Sequence, residues 1–224
     1  MQPSFIDNFT KDVSVSVEDT ALLIIDMQNA TGNRNMGLGK KLEEEGKLQS
    51  ADYRYDRIEQ ILIPNILKLA DAFRKSNGKI IYITYGANMP DASDVPDHIS
   101  GIVKATNNIA GQPEHQIVSE LRPQEGELVI NKTTMGAFRS TGIHSHLSAM
   151  QVRNVVCVGV STNNCVAMTA MEACDAQFGV VMVSDGTGTD SEEMQNATLT
   201  MLRRLWSRVM TTDQVISQLQ ASLS

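Results

Sequence analysis

Three residues of this 224-residue chain have types suited to one reaction and occupy comparable places: Asp26, Lys132 and Cys165. Asp26 lies inside the apolar run LLIIDMQ, Lys132 follows ELVIN, and Cys165 follows VVCVGV. A charged group within or beside a buried apolar strand is costly unless a partner or a task retains it. If the three strand tips are neighbours, a carboxylate, an ammonium and a thiol meet at one edge of a sheet. That set suits nucleophilic catalysis: Asp26 accepts the thiol proton, while the Lys132 cation stabilises the thiolate and orients the carboxylate. The alternative is a buried Asp26–Lys132 ion pair beside an inert cysteine, because structural ion pairs perturb the same groups.

The elements that must position these residues can be read from the apolar pattern. Residues 155–158 form a β-rich apolar run, Gly159 ends it, and Ser161, Thr162 and Asn163 supply capping chemistry. Val166, Ala170, Met171 and Ala173 then recur at helical spacing, which puts Cys165 in the first turn of a helix over 164–177. Free N–H groups and the helix dipole there favour a lowered thiol pKa. The competing reading is a buried structural cysteine, cysteine being among the most buried residue types. Cys157 is expected to face the core, and Cys174 to pack.

Further strands are expected over 21–27, 79–85, 127–131, 180–184 and 208–211, with helices over 58–73, 141–150, 191–205 and 212–219. Pro64 must kink the helix over 58–73 or split off its first turn, and Thr212 with Asp213 offers a capped start to the last helix. Strand–helix alternation with nearly continuous apolar strands predicts an α/β fold. Its mostly parallel central sheet carries helices on both faces, in a single domain over residues 1–224. The site is then expected beyond the carboxyl ends of the strands. Two polar segments, 29–56 and 86–116, each follow a strand's carboxyl end. They are read either as solvated loops or as the cover of a pocket or a subunit interface.

A hydrophobic content of 42% and a charged content of 20% are those of a globular protein with a sizeable core. The formal charge of −7 argues against nucleic acid and acidic membranes as partners. No apolar stretch reaches membrane-spanning length and the N-terminus lacks signal-peptide order, so a cytoplasmic location is expected. Three cysteines make neither a disulfide framework nor a zinc knuckle. No GxGxxG, P-loop or HExxH occurs, and no cofactor is expected.

The motifs LLIIDMQN (22–29), INKTTMGAFRST (130–141), VCVGVSTNNCV (156–166) and TAMEACDAQFGVVMVSDG (169–186) resemble those of the isochorismatase-like cysteine hydrolases. The resemblance extends over about 20–215, and the separations between Asp26, Lys132 and Cys165 are similar to those of the branch that hydrolyses carbamoyl amides. It implies a three-layer α/β/α fold and a catalytic triad of Asp26, Lys132 and Cys165. It also implies a non-proline cis peptide between Val160 and Ser161, with the Ser161 and Cys165 N–H groups forming an oxyanion hole. The implied activity is hydrolysis of the C–N bond of a small amide or N-carbamoyl compound through a thioester, by a homodimer or homotetramer. The alternatives are a vinyl ether hydrolase of the isochorismatase type, which does not need the cysteine, and a non-catalytic binding protein of the same fold.

Departures narrow this. The nicotinamidase branch binds a metal through an Asp and several His after the first strand, but this chain has no His before His98, and no metal site is expected. Gln28, Asn29, Tyr85, Phe138 and Asn164 are candidate substrate contacts. For Gln28 and Asn29 the alternative is a capped loop, and for Tyr85 and Phe138 packing. His144 and His146 lie about 200° apart on a helix and read as surface residues. His98 and His115 fall in the second long segment, and His115 reaches toward substrate in one reading of it.

Overall fold

A computed structural model describes residues 5–223. Among them six strands form one sheet in the order β3-β2-β1-β4-β5-β6, every pairing parallel. These are β1 (Thr20–Ile25), β2 (Lys79–Tyr85), β3 (Leu128–Lys132), β4 (Asn154–Val160), β5 (Gly179–Gly188) and β6 (Arg208–Met210). The central strands are apolar without interruption because both of their faces are covered. Leu22 and Ile24 of β1, with Val156, Val158 and Val160 of β4, face one layer; Ala21, Leu23 and Ile25, with Val155 and Cys157, face the other.

The first layer is built from α3 (Asp52–Arg57), α4 (Ile63–Lys75) and the last helix, α9 (Thr212–Ala221). It contributes Ile58, Leu62, Ile66, Leu69, Phe73, Val215 and Leu219. The second is built from α6 (Ile143–Ala149), α7 (Ala167–Asp175) and α8 (Glu192–Leu202). A smaller cluster of Tyr85, Ala87, Ala92, Val95, Ile99 and Val103 seats α5 (Asp97–Ala105) over the carboxyl end of β2.

Several expectations need correction. The segment 29–56 is not a loop: it holds α1 (Asn29–Gly32), α2 (Gly37–Glu44), a 3₁₀ turn Leu48–Ala51 and α3. Its helices are polar, so the apolar period that marks a helix in sequence is faint. The helix expected from residue 58 starts at Asp52 instead and runs on through a wide π turn, Ile58–Leu62, that ends two residues before Pro64. A proline has no N–H to give and crowds the preceding turn, and the widened turn meets both demands without breaking the helix. The cap of α9 is Thr211 rather than Thr212; its hydroxyl accepts from the Gln214 N–H and Gln214 accepts from the Thr211 N–H. Thr212 instead donates to Asp185 at 3.0 Å.

One glycine is required by close approach. Gly159 has φ +116°, and a β-carbon there would lie 2.0 Å from the Ile25 carbonyl oxygen. This is where β1 and β4 meet immediately before the residues of interest. Among the described residues no helix is long and apolar enough to cross a membrane.

Candidate active site

The sheet order sets Asp26 and Cys165 beyond adjacent strands, β1 and β4, while Lys132 ends β3 with β2 lying between it and β1. Three neighbouring tips therefore do not describe the arrangement. The lysine reaches across the tip of β2: its Nζ lies 4.5 Å from the ring centroid of Tyr85, which is paired with Lys132 in the ladder. It donates to Asp26 Oδ2 at 2.9 Å and to the Thr134 carbonyl at 3.2 Å. The ring face gives the fully buried cation a third favourable neighbour.

Asp26 leaves the strand in the left-handed conformation, φ +53°. Asp tolerates this region better than most residues, and the turn aims the carboxylate beyond the sheet edge. Its backbone stays anchored, the N–H on the Ile83 carbonyl at 2.8 Å and the carbonyl on the Gln28 N–H at 2.8 Å. Oδ2 is bonded to Lys132, whereas Oδ1 is buried without a partner among the described residues.

Cys165 lies in a π turn, Thr162–Val166, that leads into α7. The peptide between Val160 and Ser161 is cis. The expected side-chain cap on this turn is absent. Thr162 instead donates to Gln195 of α8 at 2.6 Å, and Asn163 accepts from Thr189 at 2.5 Å. The turn is thereby tied to the element beside it rather than capped by its own hydroxyls. The Cys165 thiol donates to Met135 Sδ at 3.6 Å.

Electrostatically the thiol departs from expectation. Burial first, and the Asp26 charge second, push the Cys165 pKa up to about 12, with Lys132 opposing. The dipole of a turn this short does not offset the loss of water and a facing carboxylate. Burial also holds Asp26 above the ordinary carboxylate range, partly offset by Lys132. Lys132 loses solvation as well, yet Asp26 and Cys165 keep it above the ordinary lysine value. Lys132 accordingly rests as the ammonium and Cys165 as the thiol.

Asp26 and Cys165 border a cleft of about 160 Å³, with Lys132 set behind Asp26 and outside its lining. Leu38, Tyr85, Ile99, Ile102 and Met135 give it an apolar side; Thr31, Arg54, Ser161, Asn164 and Asp190 give it a polar one. Both long polar segments thus wall the site. Of the candidate substrate contacts, Tyr85 and Asn164 line it.

Gln28, Asn29 and Phe138 do not. Gln28 is buried and holds the backbone together, accepting from the Tyr85 N–H at 2.7 Å and donating to the His115 carbonyl at 2.7 Å. Asn29 donates to the Pro113 carbonyl at 3.0 Å, and Phe138 packs against Phe178 and His144. His115 bonds Asn131 at 2.8 Å and borders a different hollow. His144 and His146 are exposed. Among the described residues no group of three or more His, Cys, Asp and Glu is arranged to hold a metal ion.

Sequence reasoning missed Arg54 and Asp190. Arg54 is buried; its Nε donates to the Thr31 carbonyl at 3.1 Å and its Nη1 to Ser161 Oγ at 2.8 Å and Asp190 Oδ1 at 3.0 Å. Tyr55, Ile58 and Leu62 fall at helical spacing, so continuing the helix backward from residue 58 would have found this residue.

Known proteins share this architecture. A family model described as "Isochorismatase domain" matches residues 20–214. A ureidoacrylate amidohydrolase, RutB, of Agrobacterium fabrum is 28% identical over 228 residues, covering 92% of this chain and 93% of the relative. An isochorismatase-like hydrolase structure from Alkaliphilus metalliredigens aligns with a TM-score of 0.69 at 26% identity, covering 91% of this chain and 97% of the other. A cysteine hydrolase structure from Pseudomonas syringae pv. phaseolicola aligns with a TM-score of 0.73 at 20% identity, covering 95% and 100%, and attests to the fold.

Proposed function

The chain belongs to the isochorismatase family of hydrolases, and on that premise we propose that it is a cysteine amidohydrolase cleaving the C–N bond of a small amide or N-carbamoyl compound. The observation that carries the reading is a thiol and a carboxylate oxygen, unpartnered among the described residues, at one small cleft, with a buried ammonium fixing that carboxylate from behind. The amidohydrolase named among its relatives supports the same class.

Substrate enters with its carbonyl carbon over Cys165. A thiol with a pKa near 12 carries almost no thiolate at neutral pH, so its proton moves to Asp26 Oδ1 as sulfur attacks. Lys132 favours the ionised form of Asp26 and aims it. The carbonyl oxygen becomes an oxyanion held by the N–H groups of Ser161 and Cys165. Asp26 returns the proton to the leaving nitrogen, the C–N bond breaks, and ammonia or an amine departs from a thioester on Cys165. Water then attacks the thioester as Asp26 takes its proton. The C–S bond breaks and the thiol is restored.

The decisive experiment is ammonia release over a panel of small amides together with mass spectrometry of the trapped thioester. Stoichiometric iodoacetamide labelling of Cys165 is expected to abolish turnover. Because the thiol titrates so high, the labelling rate should climb about tenfold per pH unit from neutral upward, since only the thiolate reacts. A rate already level near neutral pH contradicts this account of the site. The pH profile follows from Asp26: kcat/KM should fall toward acid with a midpoint above the usual aspartate value of about 3.9, because a base held above its ordinary range is protonated sooner.

A second reading draws on the same raised carboxyl: protonated Asp26 as the acid in cleavage of a vinyl ether. It gives Cys165 no task, and activity that survives complete thiol labelling would favour it.

A further inference from the structure

We propose that Asp190 decides the charge of the substrate: by neutralising Arg54 at the mouth of the cleft, it reserves the site for uncharged amides and turns away those bearing a carboxylate. The proposal deepens the amidohydrolase reading and rests on it.

Charges at the cleft fall into two pairs. Lys132 is committed to Asp26 at 2.9 Å, and Arg54 to Asp190 at 3.0 Å. The two cations cancel the two anions, leaving no net positive charge to receive an anion. Arg54 is the cation that borders the cleft, its side chain 7% exposed, with Nε and Nη1 already engaged by Thr31, Ser161 and Asp190. A guanidinium so placed would be a strong receptor for a carboxylate if it stood alone. It does not stand alone. Asp190, 71% exposed at the rim, presents its own carboxylate to the same group.

An anionic substrate would therefore meet Asp190 on entry and Asp26 beside the nucleophile. To reach Arg54 it would have to displace a carboxylate like its own, with no gain in charge pairing. A neutral amide has no such difficulty. The Tyr85 hydroxyl, buried at the cleft without a partner among the described residues, can donate to a second carbonyl. Asp190 meets Arg54 through Oδ1, and as a carboxylate it also accepts from substrate N–H groups.

The test uses succinamide and succinamate, which differ in one amide against one carboxylate. The readout is protection of Cys165 in the intact protein from iodoacetamide, which needs no turnover. Succinamide should protect at lower concentration than succinamate. In Asp190→Asn the ratio should move toward the anion by about tenfold, the scale of one rim charge acting through partly aqueous surroundings. Asp190→Glu should keep the original order. Stronger protection by succinamate in the native protein, an unmoved ratio in Asp190→Asn, or protection by neither compound would each overturn the proposal. Ammonia release is measured alongside. The expected protection pattern without any ammonia would sink the amidohydrolase reading while leaving the charge selectivity standing.

Discussion

Replacing Cys165 by Ser should lower amide turnover by about 10⁴-fold or more, the scale on which nucleophile replacements act in covalent catalysis. In the proposed mechanism the base is a carboxylate, and even a raised carboxyl is far too weak to draw a proton from an alkyl hydroxyl. The thiol, though held near 12, is still the more acidic and more nucleophilic group. Folding should be almost untouched. The sulfur donates a weak hydrogen bond to Met135, and the substitution changes one atom at the edge of a cleft. Assays of ammonia release beside thermal melts separate the two effects, and wild-type turnover in the variant would remove the cysteine from the mechanism.

The second large effect is on stability. Lys132→Met should cost about 3–5 kcal/mol, because it leaves Asp26 as a buried charge without a counter-ion. Lys132 is fully buried and Asp26 is 4% exposed, so solvent cannot take the lysine's place. The deficit should depend on pH with a definite sign. Asp26 already titrates above its unfolded value, and without Lys132 it rises further. A carboxyl raised on folding favours the folded state below its unfolded pKa, and that contribution is lost as pH rises through the folded one. The variant should accordingly be most impaired near neutral pH and recover toward acid, as denaturant titrations at several pH values will show. The double variant Asp26→Asn, Lys132→Met should regain much of the stability and none of the activity. A single variant as stable as the native protein at neutral pH would contradict the buried pair.

How far the sequence foretold all this depends on which physical signal each element carried. The central strands announced themselves because burial on both faces writes an unbroken apolar run, as in Leu22–Ile25 and Val155–Val158. Asp26, Lys132 and Cys165 stood out for the complementary reason, as reactive groups in or beside such runs. What lay beyond reach was anything set by three-dimensional order. That Lys132 spans β2 rather than adjoining β1 follows from the strand order, which no local pattern records. Gln28 looked like a substrate contact because it is polar and follows Asp26, but its amide is consumed by the backbones of Tyr85 and His115, far away in sequence. The helical cover over the cleft was hidden because half of α2, GLGKKLEE, is exposed Lys and Glu and two more positions are glycine. The thiol's raised pKa could not be inferred from its place at a helix start, since it depends on the depth of burial.

Lys132 belongs to β3, which stands at the margin of the sheet and pairs with β2 alone among the described strands. Marginal strands fray at lower cost than central ones. Moderate denaturant should therefore unhitch the ammonium from Asp26, and silence the enzyme, before the helices lose their circular dichroism. The margin of the fold, not its centre, then fixes the conditions under which the catalyst works.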